Sequence, residues 1–129
     1  MRETGVIFAL IRGTQILMQQ RDGNCPKYPF QWCIPGGGRE DGETYEAALV
    51  REVKEEYGLD ISLSQCHFLM NYHDDTSKVY VCQIASTEQP VLGEGLAMQW
   101  MSLDEISQLE LGFNQAGIIP ALRATLARA

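Results

Sequence analysis

The sequence predicts an α/β domain, and three observations predict it. Two apolar runs flank Gly13-Thr14 near the start, one helix with capping chemistry at both ends occupies the middle, and further apolar runs give way to helical patterns toward the end. At 129 residues the chain has the size of one ordinary domain, long enough to bury roughly two-thirds of the surface exposed when unfolded. No repeat, low-complexity tract or linker divides it, so residues 1–129 read as one domain. With 45% apolar and 21% charged residues the composition excludes disordered, collagen-like and coiled-coil classes.

The elements follow in order. Val6–Arg12 and Gln15–Arg21 read as two strands of a hairpin turning at Gly13-Thr14. Asp22 to Phe30 carries Gly23, Asn24, Pro26 and Pro29, which forbid regular structure and predict a surface loop. Trp32–Ile34 is a short apolar run, after which Pro35 and Gly36-Gly37-Gly38 break any periodicity and lead through Arg39–Gly42 into a helix. Thr44 is placed to cap that helix and Gly58 to end it in the left-handed conformation, which predicts a helix over Thr44–Tyr57. Ile61–His73 and Lys78–Ala85, separated by Asp74-Asp75-Thr76-Ser77, read as a long antiparallel hairpin. Gln99–Ser102 is a further strand. The Ser-x-x-Glu pattern from Ser102 to Glu105 predicts a short helix to about Leu109, and a last helix covers Gln115–Arg128.

On a helical wheel, Leu49, Val50, Val53 and Tyr57 form an apolar arc, and Glu52, Glu55 and Glu56 form the arc beside it. One face packs while its neighbour carries crowded carboxylates, whose mutual repulsion a divalent cation would relieve. Arg51 stands four residues before Glu55 and is placed to bridge it.

The formal charge of −7 argues against a nucleic-acid polymer as partner, because affinity for phosphate backbones comes from clustered Lys and Arg. A small anion carried in with a divalent cation is compatible with it. The Val6–Ile11 run is too short to cross a bilayer and lacks the layout of a secretory signal, so no membrane partner is expected and the protein reads as cytoplasmic. Cys25, Cys33, Cys66 and Cys82 form no Cys-x-x-Cys pair and read as reduced thiols rather than a zinc site with His67 or His73. The histidines read as packed or surface residues, Met18, Met70, Met98 and Met101 as fillers of the core, and Asp74-Asp75 as turn chemistry.

Gly37 to Leu59 reads Gly, five residues, Glu43, seven residues, then Arg51-Glu52-Val53-Lys54-Glu55-Glu56-Tyr57-Gly58-Leu59. This segment resembles the Nudix box at every specified position, a coincidence on the order of 10⁻⁹ per starting position from average residue usage. The order of elements around it also resembles that of the Nudix hydrolase family, and Gly93-Glu94-Gly95 with Asn114 resembles its MutT-like branch. The resemblance implies the Nudix fold, an α/β/α sandwich around a mixed β-sheet. It further implies hydrolysis of a nucleoside diphosphate linked to another group, with Mg²⁺ or Mn²⁺ as cofactor. Pyrophosphate hydrolysis needs charge neutralised, water activated and the two aligned, and hard cations on oxygen ligands serve all three needs.

Carried over by position, Glu52, Glu55 and Glu56 are implied as metal ligands with the Gly36 carbonyl, while Arg51 would orient Glu55 and Glu43 would tie the loop to the helix. Glu94, within Gly93-Glu94-Gly95, resembles a further carboxylate of MutT-like members, with a metal or general-base role; the alternative is a solvated loop glutamate. Glu52 and Glu94 are the candidates for general base. Arg21 resembles an arginine that meets phosphate or ribose, Asn114 lies about where a base-reading asparagine stands, and Arg39 is within reach of a phosphate; for each, a plain surface role is the alternative. Tyr28, Phe30 and Trp32 offer either a stacking surface for a base or core packing.

The expected activity is hydrolysis of a nucleoside triphosphate to nucleoside monophosphate and pyrophosphate, by a monomer or homodimer. The alternatives are a nucleotide-sugar or dinucleoside-polyphosphate hydrolase, and a noncatalytic Nudix-like module that senses a nucleotide or binds a protein. Retention of all three glutamates with Arg51 favours the enzyme, and Met1–Gly5 leaves no room for the extra leading strands of a sugar-nucleotide hydrolase dimer.

Overall fold

A computed structural model describes residues 4–24, 26–72, 76–93 and 95–127, without the side chains of residues 113 and 114. The centre is strand β1 (Gly5–Arg12), which pairs antiparallel with β2 (Gln15–Gln20) through the expected hairpin at Gly13-Thr14. Beyond β2 lie β3 (Trp32–Cys33) and, also paired with β2, β7 (Ala97–Ser102). On its other side β1 runs parallel to β6 (Ser77–Gln83), which pairs antiparallel with the outer strand β5 (Cys66–Tyr72). One parallel pair among antiparallel ones makes the sheet mixed. A parallel pair needs a long crossover, and helix α1 (Tyr45–Tyr57) lies on the connection between β1 and β6.

The sheet is covered on both faces. Val6, Phe8 and Leu10 of β1 face Leu49, Val53 and Tyr57 of α1, while Ile7, Ala9 and Ile11 face the opposite way toward Ile106, Ile118 and Leu122. Burial on both sides is why β1 is an unbroken apolar run instead of an alternating one. The second face is closed by helices α2 (Leu103–Ser107) and α3 (Ile119–Ala127), giving the expected sandwich. Met18 and Met101 are buried in that second core, and Met70 and Met98 pack against the two cores, so the methionines are fillers. Of the histidines, His67 is exposed on β5.

Local chemistry sets the helix ends. Thr44 Oγ1 accepts from the Ala47 N–H at 3.0 Å, and Gly58, at φ 68°, donates its N–H to the Lys54 carbonyl. Ser102 and Glu105 form the expected reciprocal cap of α2.

Besides shifts of one or two residues at the ends of β2, β6 and β7, several elements differ from the sequence reading. Gly36–Gly38 is not a break but strand β4, paired antiparallel with the start of β1. A Cβ at Gly36 would overlap the Val6 carbonyl oxygen, so only glycine lets the two backbones pair this closely. Ile61–Gln65 is not strand: Ser62 caps a 3₁₀ turn at Leu63–Gln65, and the Gln65 side chain returns to the Ser62 N–H at 2.8 Å. Helix α2 stops at Ser107. The last helix begins at Ile119, preceded by a 3₁₀ stretch over Gly112–Ile118. Gln115 in that stretch is buried, accepting from the Ile34 N–H at 2.6 Å and donating to the Ile34 carbonyl at 2.9 Å. Those contacts hold the segment against the strand end, while Pro120 suits the first turn of the helix that follows.

Candidate active site

Helix α1 carries the charged arc toward β4, and Arg51 is the hub of that face. Its Nε and Nη2 donate to the two Glu43 oxygens at 2.8 and 2.9 Å, a paired fork. Nη2 also donates to the Gly38 carbonyl at 2.8 Å. Nη1 reaches Glu52 at 2.9 Å and Glu55 at 3.2 Å, with Glu40 farther out at 3.7 Å. One guanidinium thus ties the β4 backbone, the loop before the helix and two successive turns of α1. The expected Arg51–Glu55 and Glu43–helix links are both present, and the contacts to Glu52 and Gly38 were not foreseen.

Electrostatics separates the carboxylates. The Arg51 guanidinium, with a hydrogen bond from the Glu40 backbone, holds Glu43 down to about 2. Glu52 is only 7% exposed, and burial pushes its carboxyl above the usual range against the opposing pull of Arg51. The carboxyl lies over Gly37, where a Cβ would fall inside it. Glycine at this place in the motif therefore makes room for the side chain fifteen residues on. Arg51 itself is held firmly protonated by Glu43.

Glu56 faces a cleft of about 750 Å³ at the sheet end. Gly36–Gly38 form one wall, Gly93 and Gly95 another, and Gln19, Arg21, Cys33 and Gln115 also line it. The loop bearing the two glycines is tied down on both sides: the Gly93 N–H donates to the Glu56 carbonyl at 2.7 Å, and the Leu96 N–H to the Gln20 carbonyl at 2.9 Å. Among the described residues no three His, Cys, Asp or Glu side chains stand together as a ready metal cluster. Arg51 engages Glu52 and Glu55, and Glu56 turns toward Gln19. The donors nevertheless suit a hard cation. They are oxygens throughout, namely three carboxylates on adjoining turns and the Gly36 carbonyl, and the side-chain-free Gly37 cradles one of them.

The remaining expected residues are dispersed. Arg21 lines the cleft and donates from Nε to the Lys27 carbonyl at 3.0 Å, which ties the 22–30 loop. Arg39 is exposed, stacked 4.4 Å over the Tyr45 ring and bonded to Thr4 Oγ1. Tyr28 and Phe30 both adopt left-handed backbone, at φ 51° and 62°, and Phe30 as a residue is 59% exposed, whereas Trp32 packs against the second core. Cys33 and Cys82 are buried and Cys66 half-buried, and all three are free thiols. Glu94, Cys25, His73 and Asp74-Asp75 lie outside the described residues, as does the Asn114 side chain, whose backbone is in the 3₁₀ stretch. Sequence reading missed Gln19 and Gln115. A polar residue closing an apolar strand run, as Gln19 does after Ile16-Leu17-Met18, was the available signal for the first.

Comparison with known proteins shows the family and the fold. The family model of the NUDIX domain covers residues 1–122. The nucleoside triphosphatase NudI of Salmonella schwarzengrund is 42% identical over 66 residues, 50% of this chain and 46% of that protein. The match thus spans about half the length of the curated relative. The MutT NUDIX hydrolase of Burkholderia pseudomallei superposes with a TM-score of 0.71 at 26% identity, covering 94% of this chain and 95% of that one. The NUDIX domain of Shewanella oneidensis NrtR, solved with ADP ribose, superposes with a TM-score of 0.77 at 20% identity, covering 98% and 89%.

Proposed function

From the chain's membership of the NUDIX domain family, we propose that it is a divalent-metal-dependent pyrophosphohydrolase, cleaving a nucleoside triphosphate with water into nucleoside monophosphate and pyrophosphate. The observation that carries this reading is the Arg51 hub, which anchors Glu43, Glu52 and Glu55 to the β4 wall of a nucleotide-sized cleft. The 42% identity to a nucleoside triphosphatase supports the choice of triphosphates.

Glu52, Glu55, Glu56 and the Gly36 carbonyl are the groups we assign to Mg²⁺, or Mn²⁺ in its place, with Glu94 as a further ligand. A divalent cation held there would offset phosphate charge and lower the pKa of a bound water. The chain's own groups do the rest. Arg51 fixes the direction of Glu52 and Glu55, and Glu43 fixes Arg51. Glu52, whose carboxyl is raised by burial, and Glu94 are the candidates to accept the proton of the attacking water. Arg21 at the cleft, Arg39 and Asn114 are the assigned substrate contacts.

The same reading takes residues 1–129 as one domain acting in the cytoplasm as a monomer or homodimer on a small nucleotide. Among the described residues no helix is long and apolar enough to cross a membrane. The test is incubation with Mg²⁺ and a panel of nucleoside triphosphates, nucleotide sugars, dinucleoside polyphosphates and ADP-ribose, followed by separation of products. Equimolar monophosphate and pyrophosphate from a triphosphate is the expected result, with a Glu55→Gln, Glu56→Gln variant inactive. A wild type inert across the panel would favour a noncatalytic nucleotide-binding module.

A further inference from the structure

Gln19 lies outside the Gly37–Leu59 motif, on β2, and lines the cleft together with Glu56 of α1. Side chains two apart on a strand share a face, so Gln19 follows Leu17 on the side covered by α1. Its backbone is fixed from both sides, opposite Cys33 of β3 and Met98 of β7. From that fixed point the amide Nε2 stands 3.5 Å from Glu56 Oε2, at the long edge of hydrogen bonding. A second wall confines the amide. A Cβ at Gly95 would come within 2.6 Å of Gln19 Nε2 and 3.1 Å of its Cγ, and Gly95 sits at φ 94°, a conformation that L side chains rarely adopt. Glycine at this position thus leaves the space that the amide occupies. On either side of the amide the Gly93 N–H donates to the Glu56 carbonyl and the Leu96 N–H to the Gln20 carbonyl.

Resting on the hydrolase reading above, in which Glu56 holds a divalent cation, we propose that Gln19 is a positioning residue for Glu56. The amide donates to one carboxylate oxygen and sets the rotamer so that the carboxylate faces the cleft. A neutral donor suits this role, because it orients the group without the positive charge that would compete with a cation for it. Gln19 therefore acts on metal affinity and on turnover, not on nucleotide affinity.

Gln19→Met keeps the length and volume of the side chain and removes the donor; Gln19→Asn keeps the donor and withdraws it from reach. Mn²⁺ uptake by each purified protein, followed by the electron paramagnetic resonance signal of the free ion, reads the effect directly. We expect both variants to bind Mn²⁺ about tenfold more weakly than wild type, with kcat lowered to a similar degree at limiting metal. KM for nucleotide should be unchanged, excess Mn²⁺ should restore the rate, and the melting temperature of the metal-free protein should stay within about 2 °C. If Gln19→Met fails to fold, Gln19→Asn carries the same measurement. Wild-type Mn²⁺ affinity in the folded variants overturns the positioning role while leaving the hydrolase reading intact. A wild type that itself takes up no Mn²⁺ and cleaves no nucleotide overturns both.

Discussion

The two ends of the acidic face are held by opposite means. At the β4 end a guanidinium gathers Glu43, Glu52 and Glu55 into one charged network backed by the Gly38 carbonyl. At the cleft end Glu56 meets a neutral amide confined by a glycine loop. The first arrangement fixes geometry by charge and is costly to disturb, because removing the cation strands a buried carboxylate. The second brings a neutral donor to the carboxylate and adds no positive charge to it. One helix face thus carries two kinds of contact, a guanidinium network on Glu43, Glu52 and Glu55 and a neutral amide beside Glu56.

The largest effect should come from Arg51→Ala. Glu52 would remain buried without its cation, so urea unfolding at pH 7 should show a loss of about 3 kcal/mol together with loss of hydrolysis. Gly37→Ala tests the same end sterically. Its new Cβ competes with the Glu52 carboxyl, and we expect a stability loss of about 2 kcal/mol and turnover reduced by about a hundredfold. Equal activity would show that the Glu52 position is unimportant.

Acid titration separates Glu43 from Glu52. Glu43 has its folded value depressed to about 2, so its contribution is present above its ordinary value of 4.5 and is lost as pH falls toward 2. The stability gap between wild type and Glu43→Gln should therefore be full at pH 7 and close between pH 4.5 and 2. Glu52 is raised instead, so the folded state binds the extra proton and stability falls as pH climbs from 4.5 through the raised value. Glu52→Gln should accordingly be no less stable than wild type at pH 7 while losing activity, a separation that chemical denaturation and a rate assay can read together.

Away from the acidic face the effects shrink. Gln115→Leu deprives the Ile34 N–H and carbonyl of their partner, which should cost about 2 kcal/mol in urea unfolding. Arg123→Ala, which removes only an exposed pair with Asp104, should change stability by less than about 0.5 kcal/mol.

What was legible in the sequence follows from range. The Thr44 cap, the Gly58 terminus, the Gly13-Thr14 hairpin and the Ser102–Glu105 cap are set by residues a few positions apart, and each formed as read. The tie from Glu43 to the helix and the Arg51–Glu55 contact were also readable, since all three belong to one compact motif, but that Arg51 is the group Glu43 meets was not. Strand β4 was not, because three glycines carry no strand propensity: Gly36 has no room for a Cβ against the Val6 carbonyl of β1, and Gly37 has none against the Glu52 carboxyl of α1. The late start of α3 depends on Gln115 meeting Ile34 from the far end of the chain, and no local pattern announces that contact. Gln19 was hidden for the same reason: its meaning comes from Glu56 and Gly95, which only the folded sheet brings beside it.

Triphosphate hydrolysis by wild type and Glu55→Gln, Glu56→Gln at matched folded concentration, with Mg²⁺ and with chelator, decides whether the α1 carboxylates drive metal-dependent cleavage of a nucleotide anhydride. The prediction is one monophosphate per pyrophosphate from wild type with Mg²⁺ alone, and no product from the variant despite an unchanged melting temperature. Equal rates in wild type and variant, or turnover that persists in chelator, would contradict it.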